Sequence, residues 1–208
     1  MPAMAATPSF KAAFLYLAAG ADPAVDRVVR DGQIERSTIV AVPDAETAGR
    51  VAAELERDGL DLIELYGGLG QRGAAAVVEA TGGRVPVGYV GYDADGSGAG
   101  PDAGVRHRVI VYEETGADPT GERVVSEHGG VRTTVVAVPD AERVPPIAAE
   151  LVGEGAERVE ICGGLGPVPA ARTVAEIGGR VPVGAVLFGA ESLQLVAAFQ
   201  AGFAETAS

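Results

Sequence analysis

Displacing the sequence by 96 residues against itself aligns residues 12–92 with 108–188 without a gap, and 38 of those 81 pairs are identical. Val42-Pro43-Asp44-Ala45-Glu46 returns as Val138-Pro139-Asp140-Ala141-Glu142, and Gly82 to Gly88 (GGRVPVG) returns unchanged as Gly178 to Gly184. A repeat of this length is one folding unit used twice, so the fold must be built from two similar halves. The implied boundaries are a first βα repeat over residues 1–92, a glycine-rich linker over 93–104, and a second repeat over 105–208 with an added C-terminal helix.

Each copy reads as strands alternating with helices. Ala12 to Ala18 is an apolar run fit for a strand, and Asp22-Pro23 has the form of an N-cap followed by a first-turn proline, which predicts a helix. Ser37 to Val42 is β-branched and reads as the second strand. Asp44 opens a helix whose apolar positions Ala48, Val51, Ala52 and Leu55 recur at helical spacing, with Gly59 where a C-cap belongs. Leu60 to Tyr66 is a third strand, Ala74 to Ala80 a third helix and Val85 to Tyr92 a fourth strand. Glu191 to Phe203 adds a helix with Leu193, Leu195, Val196, Phe199 and Phe203 on one face.

The predicted order is therefore β-α-β-α-β-α-β, twice, an α/β fold with parallel sheets. Two layouts suit it. One is a pair of Rossmann-like lobes packed as a pseudo-dimer; the other is a compact eight-stranded parallel βα barrel. The lobes are preferred, because the first copy has no helix between its fourth strand and the linker and 208 residues is short for the barrel.

The runs KAAFLYLAAGADP at Lys11, VPDAE at Val42, IELYGGLG at Ile63 and GGRVPVG at Gly82 resemble a bacterial family of short single-copy proteins, domain of unknown function 6506. The likeness covers most of Lys11 to Tyr92 and, more weakly, His107 to Phe188. It implies a small α/β unit and self-association that the duplication would make internal. It brings no activity and no catalytic residues.

A formal net charge of −13 repels phosphate backbones and anionic lipids, so neither nucleic acid nor a membrane is the expected partner. The single cysteine, Cys162, excludes an intrachain disulfide, and the chain shows no signal-peptide pattern, so a cytoplasmic setting is expected. No G-x-x-x-x-G-K, no G-x-S-x-G and no zinc spacing occurs, and no organic cofactor or metal is expected.

The candidate site lies at Leu62 to Gly70 (LIELYGGLG) and again at Arg158 to Gly166 (RVEICGGLG). A strand that feeds a glycine turn and then a helix leaves N–H groups free for an anion or polar ligand. Glu64 and Glu160 sit two residues before Tyr66 and Cys162 on the same strand face, and a carboxylate in a covered parallel strand is costly unless paired. Each is either a structural hydrogen-bond acceptor or an acid/base group with a raised pKa, more clearly raised at Glu160 because Arg72 follows Glu64. Tyr16 and Tyr112 are added as catalytic candidates or packing residues. Tyr66, Gly67, Gly68, Gly70, Arg72 and Gly73, with Cys162, Gly163, Gly164 and Gly166, are the ligand-binding candidates. Gly68, Gly70 and Gly73 form G-x-G-x-x-G, a dinucleotide fingerprint or simply a tight turn. Pro167 and Pro169 remove N–H donors in the second copy, so an anion should prefer the first.

The expected function is a small-molecule-binding protein, extended in one reading to a cofactor-independent isomerase, cyclase or lyase that moves a proton with Glu64 or Glu160. The alternative is a non-catalytic binding or assembly protein.

Overall fold

The computed structural model of the protein describes residues 10–92 and 104–207. The first copy runs β1 (Phe10–Leu17), β2 (Arg27–Asp31), β3 (Glu35–Val42), α1 (Ala45–Arg57), β4 (Leu62–Tyr66), α2 (Gly70–Thr81) and β5 (Val87–Tyr92). The second runs β6 (His107–Glu113), β7 (Arg123–His128), β8 (Val131–Val138), α3 (Val144–Gly153), β9 (Arg158–Ile161), α4 (Pro167–Glu176) and β10 (Val183–Phe188), and α5 (Leu193–Ala207) follows. Among the described residues no helix is long and apolar enough to cross a membrane.

The predicted helix after Asp22-Pro23 does not form, so each copy reads β-β-β-α-β-α-β. Asp22 does cap a turn, its carboxylate accepting the N–H of Ala24 at 3.0 Å, but the coil stops after one turn. Arg27-Val28-Val29-Arg30 then favours an extended edge strand, and β2 pairs antiparallel with β3. Asp118 and β7 repeat this against β8. Asp44 behaves as expected, accepting from the Thr47 N–H at 2.7 Å, and Gly59 follows the end of α1 with φ +82°.

The remaining strands of each copy are parallel, β3-β1-β4-β5 and β8-β6-β9-β10. They do not make two separate sheets or an eight-stranded barrel. β5 and β10 pair antiparallel and join everything into one ten-stranded mixed sheet, β2-β3-β1-β4-β5-β10-β9-β6-β8-β7. Val90 lies opposite Val186, its own counterpart, so a pseudo-two-fold axis passes between them. Gly88 and Gly184 flank that axis. A Cβ on Gly88 would lie 2.9 Å from the Phe188 ring, and one on Gly184 would lie 2.7 Å from the Tyr92 ring. The unchanged glycine of GGRVPVG thus leaves room for an aromatic ring from the other copy.

Period two in the strands sets the layers. Ala13 and Leu15 of β1, with Ile63 and Leu65 of β4, face α1 and α2. Ala12, Phe14 and Tyr16 face the other way and pack against the second copy, with the Phe14 and Tyr112 rings 4.8 Å apart. The sheet therefore curls until the inner faces of its halves meet. Ser192 anchors α5 to this body, its hydroxyl accepting the Val87 N–H at 3.0 Å, and Phe199 and Phe203 then pack on Phe10. The expected linker lies, except for Gly104, outside the described residues.

Candidate functional site

Glu64 and Glu160 are 1% and 0% exposed and point into the space between the copies. Glu64 accepts the Gly163 N–H at 2.9 Å and the Tyr66 hydroxyl at 2.5 Å. Glu160 accepts the Gly67 N–H at 2.8 Å and the Tyr92 hydroxyl at 2.5 Å. Each glutamate thus holds the glycine turn of the opposite copy. The turns must be glycine: a Cβ on Gly163 would lie 2.9 Å from the Glu64 carboxylate, and one on Gly67, at φ +68°, would overlap Arg108.

The surroundings of the two glutamates differ. Arg108 and Arg158, 5% and 6% exposed, stand in the strand positions that Ala12 and Leu62 hold in the first copy. Arg108 donates to the Leu17 carbonyl at 3.0 Å, and the Arg158 guanidinium lies over the Tyr92 ring, 5.1 Å from its centroid. Around Glu64 the smaller side chains leave a cavity of about 230 Å³. Its apolar walls are Ala12, Phe14, Leu62, Phe199 and Phe203, and its polar groups include Glu35, Glu64, Glu113, Cys162 and Gln200.

Burial pushes both Glu35 and Glu64 up to about 7. Ser37 opposes the shift at Glu35 and Tyr66 opposes it at Glu64, while Glu113, Glu114 and Glu64 itself add to it at Glu35. Burial also raises Glu113 and Glu160. At Glu160 the Arg108 charge pulls back most strongly. Arg72, expected to moderate Glu64, is exposed at the start of α2 and moderates neither glutamate; the shift that an arginine opposes is that of Glu160, through Arg108.

Tyr16 and Tyr112 do not join this group. The Tyr16 hydroxyl is 2.8 Å from Ser126 Oγ, and Tyr112 donates to Glu114, itself paired with Arg30 at 3.3 Å. Gly68 and Arg72 line a separate open crevice of about 390 Å³ with Leu17, Pro43, Asp44 and Glu46, at the carboxyl ends of β1 and β3. Gly70, at φ +52°, begins α2, and Gly73 is buried where a Cβ would lie 2.8 Å from that of Leu69. The G-x-G-x-x-G run is thus accounted for by turn geometry and close packing. Gly166 precedes α4 at φ +72°, while Gly164 lines the cavity beside Cys162.

Sequence reasoning missed Glu35, Glu113, Phe14, Phe199 and Phe203 as cavity residues, and Tyr92 as the partner of Glu160. The offset alignment carried a signal for some of them, since Ala12, Glu35 and Leu62 meet Arg108, Val131 and Arg158. Polar and apolar residues change places at aligned strand positions, which marks a place where the two halves differ in content.

Residues 10–100 and 106–201 each match one family, described only as a family of unknown function, DUF6506. The chain belongs to that family. No curated protein matches the sequence. Among solved structures it is similar to a conserved domain protein from Vibrio cholerae, with 12% identity and a TM-score of 0.30 over 84% of this chain and 73% of that one. It is also similar to a ligand-free, open substrate-binding protein with adhesive properties from Clostridium difficile, at 13% identity and TM-score 0.29, covering 85% and 74%. A third is an ABC transporter solute-binding protein from Conexibacter woesei, at 13% and 0.26, covering 84% and 69%. At these TM-scores the likeness carries nothing about the site.

Proposed function

We propose that this protein binds a small molecule in the cavity beside Glu64. The observation that supports it is the 230 Å³ space itself, walled by Phe14, Leu62, Phe199 and Phe203 with carboxyls set into it. Apolar walls with a few convergent polar groups are the usual make-up of a ligand pocket. Scaled from a ~150 Å³ cavity that takes benzene, the volume suits roughly ten non-hydrogen atoms. The crevice at Gly68 and Arg72 is a weaker candidate for the anion anticipated from the glycine turns, because Asp44 and Glu46 flank the arginine. A cytoplasmic setting suits a chain whose one cysteine remains a buried thiol.

The test is a thermal-shift screen against metabolites on the wild type and on Ala12→Leu, which fills the cavity. A ligand at one hundred times its dissociation constant stabilises by about 2.7 kcal/mol. The expected result is a hit that the variant loses; hits that Ala12→Leu keeps in full would overturn the assignment.

A second reading, in which the same site moves a proton, is favoured by Glu64 being poised at about 7. It predicts solvent-deuterium exchange into the bound hit that Glu64→Gln abolishes; a hit that binds and never exchanges removes it.

A further inference from the structure

We propose that the ligand of this cavity is a small organic cation, an ammonium or similar group on a compact apolar body. The inference rests on the small-molecule reading above and adds the charge of what is bound.

The protein contains its own comparison. Around Glu160, Arg108 and Arg158 bring two guanidinium groups into the interior, and one of them sits over an aromatic ring. Around Glu64 the same fold has Ala12 and Leu62 in place of those arginines, Cys162 in place of Tyr66, and Glu35 in place of Val131. The positive charge has gone, two more carboxyls have arrived, Glu35 and also Glu113 in place of Leu17, and the vacated volume is walled by Phe14 and by Phe199 and Phe203 of α5, a helix with no counterpart among the described residues of the first copy. Among the described residues no lysine, arginine or histidine lines the space. Arg30, the cation paired with Glu114, is outside it.

Buried carboxyls are stabilised by an opposite charge within a few ångströms, and aromatic faces add attraction for a desolvated cation. Burial leaves Glu35 and Glu64 with raised pKa values that an ammonium would lower. Among the described residues no group of three or more His, Cys, Asp or Glu is placed to hold a metal ion, so the donor set suits an organic cation. The apolar walls then recognise the body that carries the charge.

Calorimetric titration of the full chain at pH 8 with three matched probes tests this: 2-phenylethylammonium, 2-phenylethanol and phenylacetate. The ammonium should bind at least about tenfold more tightly than the alcohol, and the carboxylate should not bind measurably. Glu35→Gln leaves the Glu64–Gly163 contact in place and should cut the ammonium-to-alcohol ratio at least about threefold. Equal binding of alcohol and ammonium, or preference for the carboxylate, overturns the charge assignment and leaves the cavity reading standing. Binding of all three that survives in Ala12→Leu overturns both, since the probes then sit elsewhere. Binding of none overturns the cation, while the metabolite screen still decides the cavity.

Discussion

Ala12 holds in β1 the position that Arg108 holds in β6, so a methyl group borders the cavity beside Glu64 where a buried guanidinium stands near Glu160. Ala12→Arg should therefore convert the first half toward the second. At pH 8 it is expected to raise stability by about 1 kcal/mol, equivalent to one pKa unit of relief at the nearby carboxyls, and to abolish probe binding. Urea unfolding and calorimetry measure the two effects, and a destabilised variant would show that the cavity cannot accept the longer side chain.

Stability should fall as pH rises from about 5 to 8. Glu35 and Glu64 stand at about 7 in the folded protein against an ordinary 4.5, so between those values the folded state holds more protons than the unfolded one. Their contribution is complete below 4.5 and is lost as pH passes 7. Glu113, Glu114, Tyr66 and Cys162 face the same region, and Ser37 donates to Glu35. The change should be on the order of a few kcal/mol, and Glu35→Gln should flatten it in denaturation measured across the range. A stability that climbs over this window would refute the assignment.

Gly163→Ala should be much costlier than Gly164→Ala. A Cβ at Gly163 would lie 2.6 Å from the Phe188 ring, whereas one at Gly164 would meet only Gln200 at 3.8 Å. The expected losses are about 1–3 kcal/mol for the first and within about 0.5 kcal/mol for the second. Thermal unfolding of the two variants compares them directly.

Ser192→Ala should loosen α5. The Ser192 hydroxyl accepts from the Val87 N–H at 3.0 Å and donates to the Val87 carbonyl at 3.3 Å, in a buried setting. Its loss is expected to cost about 1–3 kcal/mol and to speed hydrogen exchange in residues 193–203 more than in β1. Uniform acceleration over the whole chain would mean that the helix does not open separately.

The parallel core was legible because it is local. Four apolar runs in each copy became strands, and Ala48, Val51, Ala52 and Leu55 became the buried face of α1. The segment after Asp22-Pro23 was misread because a cap and a proline specify how a helix begins, not that it continues. The valines at 28 and 29 found a better partner across the hairpin, in Ile39 and Thr38 of β3. Glu64 and Glu160, which the strand pattern singles out, are buried carboxylates. Their partners were hidden because Gly163 and Gly67 are 99 and 93 residues away, and no local pattern states which turn faces which strand. The cavity was hidden for the same reason: its wall combines Phe14 of the first strand with Phe199 of the last helix.

The pseudo-two-fold axis between Val90 and Val186 has a consequence for inheritance. In an assembly of two identical chains, a substitution at the position of Ala12 appears on both sides of the axis at once, so both chambers are open or both are closed. A single gene that encodes the two sides lets them mutate apart. One side can keep arginines as permanent internal ballast while the other carries small side chains, and the arginine-bearing side goes on supporting the shared scaffold while its counterpart is free to change.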